Sequence, residues 1–190
     1  MRQVHNNRAS VYRRNRVEVV MSRVVRITAA SRLHFGLITV GGAPGRSFGG
    51  VGAMVEPPNT RLSITTAPRF SVGGPGTDRV IEFASQWQKS QGWEERPACR
   101  ILVESLPRMH VGLGVGTHLG LAVARGLNTF FELSEPPLSE LAQSVGRGLP
   151  SAIGTHGFSH GGLLFELGKT ADDSLGPLER RVDLPAEWRF

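Results

Sequence analysis

The sequence predicts an α+β domain, and three observations carry that expectation. From Ser22 onward the chain is rich in short segments with β-branched residues and partial alternation. Two stretches, one opening at Asp78 and one near Thr117, set apolar residues at helical spacing. A glycine-rich run, VGLGVGT, stands directly before the second of them, so a loop there feeds a helix.

In chain order, RVVRITAA and RLHFGLITV read as two half-buried strands, while GGAPGRSFGG holds too many glycines for a regular element. VGAMVE and TRLSITT are two further strands parted by the turn PPN, and SVGGPGTD is a loop. In DRVIEFASQWQKSQGW the residues Val80, Phe83, Ala84 and Trp87 fall on one helix face, with Asp78 as N-cap and Gly92 as the stop. CRILVES reads as a buried strand. The second helix carries Leu121, Ala124, Leu127 and Phe131 along one side, with Thr117 as its N-cap. PPLSELAQSVGRG is a short third helix closed by Gly146, GLPSAIGTHGFSHGG a loop, and GLLFEL a strand. After an acidic connector come RRVDLP and then Trp188-Arg189-Phe190, which looks like the opening of a strand. Elements that begin at a terminus are uncommon in complete domains. The expected organisation is therefore a basic extension over 1–21 and one domain over 22–190, truncated before a C-terminal domain. No internal repeat is visible.

Composition narrows the function classes. A chain of 190 residues buries roughly 70% of its unfolded surface. With 39% hydrophobic and 20% charged residues, it is not a disordered chain. No apolar run approaches the roughly 18 residues of a membrane span, so no membrane partner is expected. A single cysteine, Cys99, excludes an intrachain disulfide and fits a reducing, cytoplasmic setting. The net charge of +6 raises nucleic acid as a partner, but its distribution argues against that. Residues 1–20 hold Arg2, Arg8, Arg13, Arg14 and Arg16 against Glu18, which leaves +2 on the remainder. The tail reads as a solvated extension ahead of a targeting peptide or a nucleic-acid arm.

The chemistry concentrates around VGLGVGT. Gly112, Gly114 and Gly116 let the backbone turn sharply and approach a ligand, because they lack Cβ. The helix that follows directs its unpaired N–H groups and its dipole into the loop, which makes an anion site suited to phosphate. It is not a Walker loop, since GK[ST] is absent, and it is a poor dinucleotide fingerprint. Taken alone, such a turn is often purely structural.

PRMHVGLGVGT resembles the second motif of the GHMP kinase superfamily, a proline followed after four residues by G-L-G-S-S and a helix. Pro107, Gly112, Leu113 and Gly114 match it, while Val115 and Gly116 replace two serines whose hydroxyls help hold phosphate and Mg²⁺. GLPSAIGTHGFSHGG resembles the superfamily pattern G-x-P-S-G-x-D followed by Gly-Gly. On that register the kinases' catalytic aspartate falls at Gly154, which has no group to accept a proton. SRLHFGL (31–37), RSFGGVG (46–52), HVGLGVGTHLGLAVARGL (110–127) and GRGLPSAIGTHGFSHGGLLFE (146–166) together resemble the β-ribofuranosylaminobenzene 5′-phosphate synthase family. Val115 and His118 depart from its more usual Ser and Gln.

The resemblance implies the N-terminal domain of a GHMP kinase, a mixed β-sheet backed by helices. It implies a transferase that joins phosphoribosyl pyrophosphate to 4-aminobenzoate or a close analogue, releasing carbon dioxide and pyrophosphate, in methanopterin biosynthesis. The residue types suit that chemistry. Loop residues Gly112, Leu113, Gly114, Val115, Gly116 and Thr117 would cradle phosphate. Arg32, Arg46 and Arg147 would clamp phosphate or carboxylate oxygens, since guanidinium forks match them. His34, His110 and His156 are candidate proton donors, with pKa values near working pH, and Thr155 would add a hydroxyl. Mg²⁺ is the one cofactor expected, with its ligands open, and no organic cofactor is identified. The expected partner is a small phosphorylated substrate, with a homodimer as one admissible assembly. Each residue also has a plainer reading: an arginine at a strand edge is commonly solvated, and a histidine in a glycine loop commonly bonds a carbonyl. Phe35, Phe48 and Phe158 read as packing residues. The competing functions are an ATP-dependent small-molecule kinase of the same superfamily and a non-catalytic phosphate- or nucleic-acid-binding domain.

Overall fold

A computed structural model describes residues 23–37, 45–147, 152–185 and 187–188. The basic extension 1–21 lies outside the described residues, as do the end of RLHFGLITV, most of GGAPG, the Pro150-Ser151 pair and the last two residues. In chain order the elements are β1 (Val24–Leu37), β2 (Gly50–Thr66), β3 (Ser71–Gly73), α1 (Thr77–Ser90), β4 (Cys99–Ser105), α2 (Val115–Phe130), α3 (Leu138–Gln143), α4 (Ile153–His160), β5 (Leu163–Glu166) and β6 (Leu178–Val182). The result is the α+β arrangement expected, a mixed sheet backed by helices.

Strand β2 organises the sheet. β1 runs antiparallel along it, from Val24 opposite Thr65 to Leu37 opposite Gly50, and so occupies one whole edge. β4 and β5 must share the other edge, β4 against 61–66 and β5 against 50–53. β3 joins β4 in parallel and β6 joins β5 antiparallel. Between the two edge neighbours the chain bulges. The β1 register passes from Ser31 opposite Val55 to Ala30 opposite Asn59, so Glu56, Pro57 and Pro58 stand out of the ladder. A proline has no N–H to give a neighbouring strand, which suits an interval where neither β4 nor β5 pairs.

Several expectations are corrected here. RVVRITAA and the described part of RLHFGLITV belong to one strand, and the PPN segment interrupts the pairing of β2 without ending it. The SVG of the predicted loop is β3, because its backbone finds β4 as a partner. CRILVES is buried on one face: Cys99, Ile101 and Val103 point inward while Arg100, Leu102 and Glu104 are exposed. Asp78 lies in the first turn of α1, and the cap position is Gly76 in the left-handed region (φ 74°). Gly92, also left-handed, follows the helix as expected. GLPSAIGTHGFSHGG contains α4, whose two glycines disguise a helix. Trp188 sits in a turn, its N–H bonded to the Pro185 carbonyl, where a strand was expected. Phe35 and Phe48 are exposed, and Phe158 packs against the core.

The helices cover one face of the sheet, and α2 is the central one. Leu119, Leu121, Ala122, Val123, Ala124 and Leu127 are fully buried, which explains a helix apolar around most of its circumference. Gly126 lets it approach the sheet, since a Cβ there would stand 2.8 Å from Ile64 Cδ1. Among the described residues, two buried polar links fix α2 against other helices. Trp87 of α1, fully buried, donates its Nε1–H to Asn128 Oδ1 at 2.8 Å. His118 of α2 lies 3.1 Å through Nε2 from the Gly154 carbonyl of α4. A carbonyl only accepts, so the neutral ring carries its proton on Nε2. Burial drives the His118 pKa down to about 4 and the Arg32 charge pushes the same way, outweighing the carbonyls that favour the charged ring. Among the described residues no helix is long and apolar enough to cross a membrane.

Two outcomes are expected. Asn128→Ala leaves the buried Trp87 N–H without a partner and should cost about 1–3 kcal/mol, read as a lower denaturation midpoint at unchanged slope. His118 stays neutral in the folded chain down to about 4, whereas the unfolded chain binds a proton near its ordinary value of about 6.5. Stability should therefore fall as the pH drops from about 6.5 to about 4, by about 3 kcal/mol from this group. His118→Gln keeps a donor and removes the titration. Denaturation of the two proteins across that window should show a shallower acid loss in the variant, and parallel curves would reject the assignment.

Candidate functional site

The glycine-rich run connects β4 to α2. His110, Gly112 and Gly114 all take positive φ (63°, 87° and 67°), and Gly114 is the cap of α2. The helix thus begins two residues earlier than predicted. Thr117 is its third residue, with its N–H on the Gly114 carbonyl at 3.0 Å, and does not act as the cap. Gly114 is required for two reasons: its backbone is left-handed, and a Cβ would come within 3.3 Å of Arg32 Cβ and Nε. The loop is fastened to the sheet by one bond, from the Arg32 N–H to the Leu113 carbonyl at 2.9 Å.

In front of this helix start lies a cleft of about 440 Å³. It brings together nine of the predicted residues: Arg32, His110, Gly112, Leu113, Gly114, Val115, Gly116, Thr117 and Arg147. A tenth lining residue, Arg79, was not predicted. It sits in the first turns of α1, where an arginine reads from sequence as a solvated helix residue. Arg79 and Arg147 both lie against the Phe83 ring, each guanidinium carbon 5.0 Å from its centroid. Burial lowers the Arg147 pKa, and the neighbouring Arg79 charge lowers it further while Glu82 opposes. Burial also lowers that of Arg32, against the pull of Glu166. Guanidinium groups nevertheless remain charged. Three cations and a helix N-terminus thus face one cleft, and no carboxylate lines it among the described residues. Such a site is complementary to a polyanion.

Gly154 lies at the floor of this arrangement, in the first turn of α4. A Cβ there would stand 3.1 Å from Arg32 Nη1, 3.5 Å from Thr117 Cγ2 and 3.7 Å from His118 Nε2. A guanidinium therefore borders the position at which the motif register expects the kinases' aspartate. Beneath it, Glu166 is buried, accepts the Ala152 N–H at 2.7 Å at the start of α4, and balances Arg32 electrostatically. Sequence reading missed Glu166. The signal was present, since it alternates in phase with buried Leu164 in GLLFEL.

The other predicted residues lie elsewhere. Arg46 donates to the Gly168 carbonyl at 3.0 Å and pairs with Asp173 at 3.4 Å, so it ties a loop and does not reach the cleft. His156 is buried on α4 with Nε2 2.7 Å from the Gly176 carbonyl, and Thr155 is fully buried beside it. Both are turned inward because the segment is helical. His34 sits on β1 against Gly50, where a Cβ would meet its Nε2 at 3.0 Å. Burial lowers the pKa of His34 and of His156, with Arg32 adding to the first and His160 to the second. Of the three predicted histidines, His110 alone lines the cleft. The donors present do not fit a protein-held Mg²⁺. The cleft offers the Thr117 side chain and no carboxylate, and the described residues contain no group of three His, Cys, Asp or Glu side chains able to hold an ion.

No protein-family model matches the chain. It is 33% identical over 177 residues to a β-ribofuranosylphenol 5′-phosphate synthase of Archaeoglobus fulgidus, covering 87% of this chain and 55% of that one. It is 30% identical over 186 residues to the protein of the same name from Methanothermobacter thermautotrophicus, covering 86% and 56%. The chain thus spans about half the length of the curated relatives it matches. Among solved structures it is similar to a mevalonate kinase (TM-score 0.59, 12% identity, 86% of this chain and 57% of that one). It is also similar to the Methanococcus jannaschii mevalonate kinase (0.57, 11%, 75% and 53%). At such identities these structures establish the fold alone, that of the GHMP kinases. The sequence likeness goes further than the fold: over most of its length the chain is similar to β-ribofuranosylphenol 5′-phosphate synthases, in keeping with the family its motifs resemble.

Proposed function

We propose that this chain supplies the phosphate-holding part of a synthase that transfers the phosphoribosyl group of phosphoribosyl pyrophosphate to a 4-substituted benzoate, releasing carbon dioxide and pyrophosphate. The observation that carries the reading is Gly154, a bare α-carbon bordered by Arg32. A kinase must take a proton from its acceptor hydroxyl, and a carboxylate at this position serves that need. The proposed reaction has no such need. The ring carbon bearing the carboxylate attacks C1 of the ribose, and the C1–O bond breaks with its electron pair going to pyrophosphate. The bond from the ring to the carboxylate then breaks, its pair restores the aromatic ring, and carbon dioxide leaves. No proton is removed from the nucleophile, and what develops is negative charge on the leaving group.

The cleft is suited to that charge. The amides at the start of α2, with Arg147 and Arg79, would receive the pyrophosphate, and Arg32 would neutralise the oxygens nearest Gly154. His110, which lines the same cleft, would donate a proton to the departing group. His34, His156, Thr155 and Arg46 have no part in this reading. Mg²⁺, where required, would arrive on the phosphates of the substrate. The relatives are named for a phenol product and the sequence motifs resemble the aminobenzene synthases. Amine and hydroxyl both donate electrons to the para carbon, so one mechanism serves either acceptor. The reading carries with it a place in methanopterin biosynthesis in the cytoplasm. Because the chain spans about half the length of its relatives, its own turnover is expected to be far below theirs.

Carboxyl-labelled 4-aminobenzoate and 4-hydroxybenzoate, incubated with phosphoribosyl pyrophosphate and the chain, should release labelled carbon dioxide. ADP formation from ATP with either ring, without decarboxylation, would establish the kinase alternative instead. Calorimetry should show Arg32→Ala and Arg147→Ala each weakening pyrophosphate binding about 10- to 100-fold, the loss of a hydrogen bond to a charged group. Arg46→Ala should leave that affinity unchanged. Gly154→Asp should likewise weaken pyrophosphate, by setting a negative charge against Arg32, and should confer no kinase activity.

A further inference from the structure

A second and larger cavity, of about 820 Å³, adjoins the arginine cleft, and Leu113 lines both. The β-bulge opens it: Glu56, Pro57 and Pro58 form one wall in the interval where β2 lacks an edge neighbour. Leu33, Leu184 and Trp188 supply apolar surface. Leu33 follows Arg32 on β1, so strand alternation sends the arginine to one cavity and the leucine to the other. The ionisable groups that line this second cavity, among the described residues, are both acids, Glu56 and Asp183, the first holding Asn59 and the second paired with Arg181. The two cavities therefore divide the chemistry. One is lined by arginines; the other mixes apolar side chains, an exposed tryptophan among them, with two carboxylates and polar backbone.

We infer that this second cavity is the acceptor subsite, which seats the aromatic ring of a benzoate bearing a 4-amino or 4-hydroxyl group. The inference rests on the synthase reading above and adds to it where the ring lies and how it is turned. A benzoate entering here is repelled by the acidic rim at its carboxylate end and attracted at its amine or hydroxyl end. The arginines beyond Leu113, the residue the two cavities share, draw the carboxylate toward that side. That orientation puts the carbon that must attack C1 of the ribose next to the cleft that holds the phosphoribosyl donor. The same electrostatic division selects a ring with a hydrogen-bond donor at position 4 over one without.

The test uses the 190-residue chain with 4-aminobenzoate, 4-hydroxybenzoate and unsubstituted benzoate, followed by saturation-transfer NMR with and without pyrophosphate. Calorimetry with pyrophosphate alone reads the neighbouring cleft. Trp188→Ala should weaken both substituted rings about tenfold and leave pyrophosphate affinity unchanged. Glu56→Lys, an exposed change that the fold tolerates, should abolish the preference for the substituted rings over benzoate. Unaltered ring affinity in both variants would place the acceptor elsewhere and overturn the inference, as would the absence of ring binding at about 10 mM in a chain that still binds pyrophosphate. Loss of pyrophosphate binding in the parent chain would instead strike the donor cleft, a separate result.

Discussion

The bond from the Arg32 N–H to the Leu113 carbonyl is the constraint on which the site depends. β1 pairs with β2 on one edge and receives the glycine-rich loop on the other, so a single backbone contact registers the start of α2 against the sheet. Without it, the amides ahead of α2 would have no fixed relation to the Arg32 side chain, whose Nε passes within 3.3 Å of where a Cβ of Gly114 would stand. The fully buried body of α2 supplies the opposing reaction, holding the helix while its first turn remains open to the cleft. A rigid end on a buried element is how a short loop achieves positional precision.

Electrostatics then sorts what the cleft can hold. Arg79 and Arg147 both lie against the Phe83 ring and repel each other, with Glu82 paired to Arg79 offsetting part of that, and Arg32 is half-buried in the same cleft. Such crowding of like charge is unfavourable in the free protein and is relieved by an anion of high charge. The buried Glu166 offsets part of it from below, as it also serves the α4 N-terminus. A carboxylate at position 154 would have cancelled Arg32 directly. With glycine there, Arg32 keeps its charge for an incoming ligand, so the lack of a side chain at this position sets the sign of the site.

Much of this was legible in the sequence for physical reasons. Strands β4 and β5 and helices α1 and α2 announced themselves by period, because each has one face that must be buried. The turn before α2 was legible because closely spaced glycines directly ahead of an apolar, helically spaced run mark a loop that feeds a helix. What failed were features decided by tertiary contacts. Helix α4 carries Gly154 and Gly157, poor helix formers, and exists because Glu166 takes its first N–H and Met54 fills the space at Gly157. Thr155 and His156 were read as loop residues and are buried by that same helix. The Thr117 cap was overruled by a left-handed Gly114, since a glycine backbone can start a helix with no side-chain oxygen. Arg79 and Arg46 show the limit of reading cations: equal in sequence, one lines the cleft and the other bonds Gly168.

The sharing of one β2 edge by two strands has a consequence for how the chain assembles. β4 reaches its place after a short excursion, but β5 pairs with 50–53 from the far side of four helices, more than a hundred residues along the chain. Contacts of such sequence separation form late and slowly, because the loop they close must be ordered first. The hairpin of β1 with β2, and α1 with β4, can consolidate as a nucleus, while the wall of β5 and β6 closes afterwards. The groove between the two halves is thus the seam where an early-forming region meets a late one.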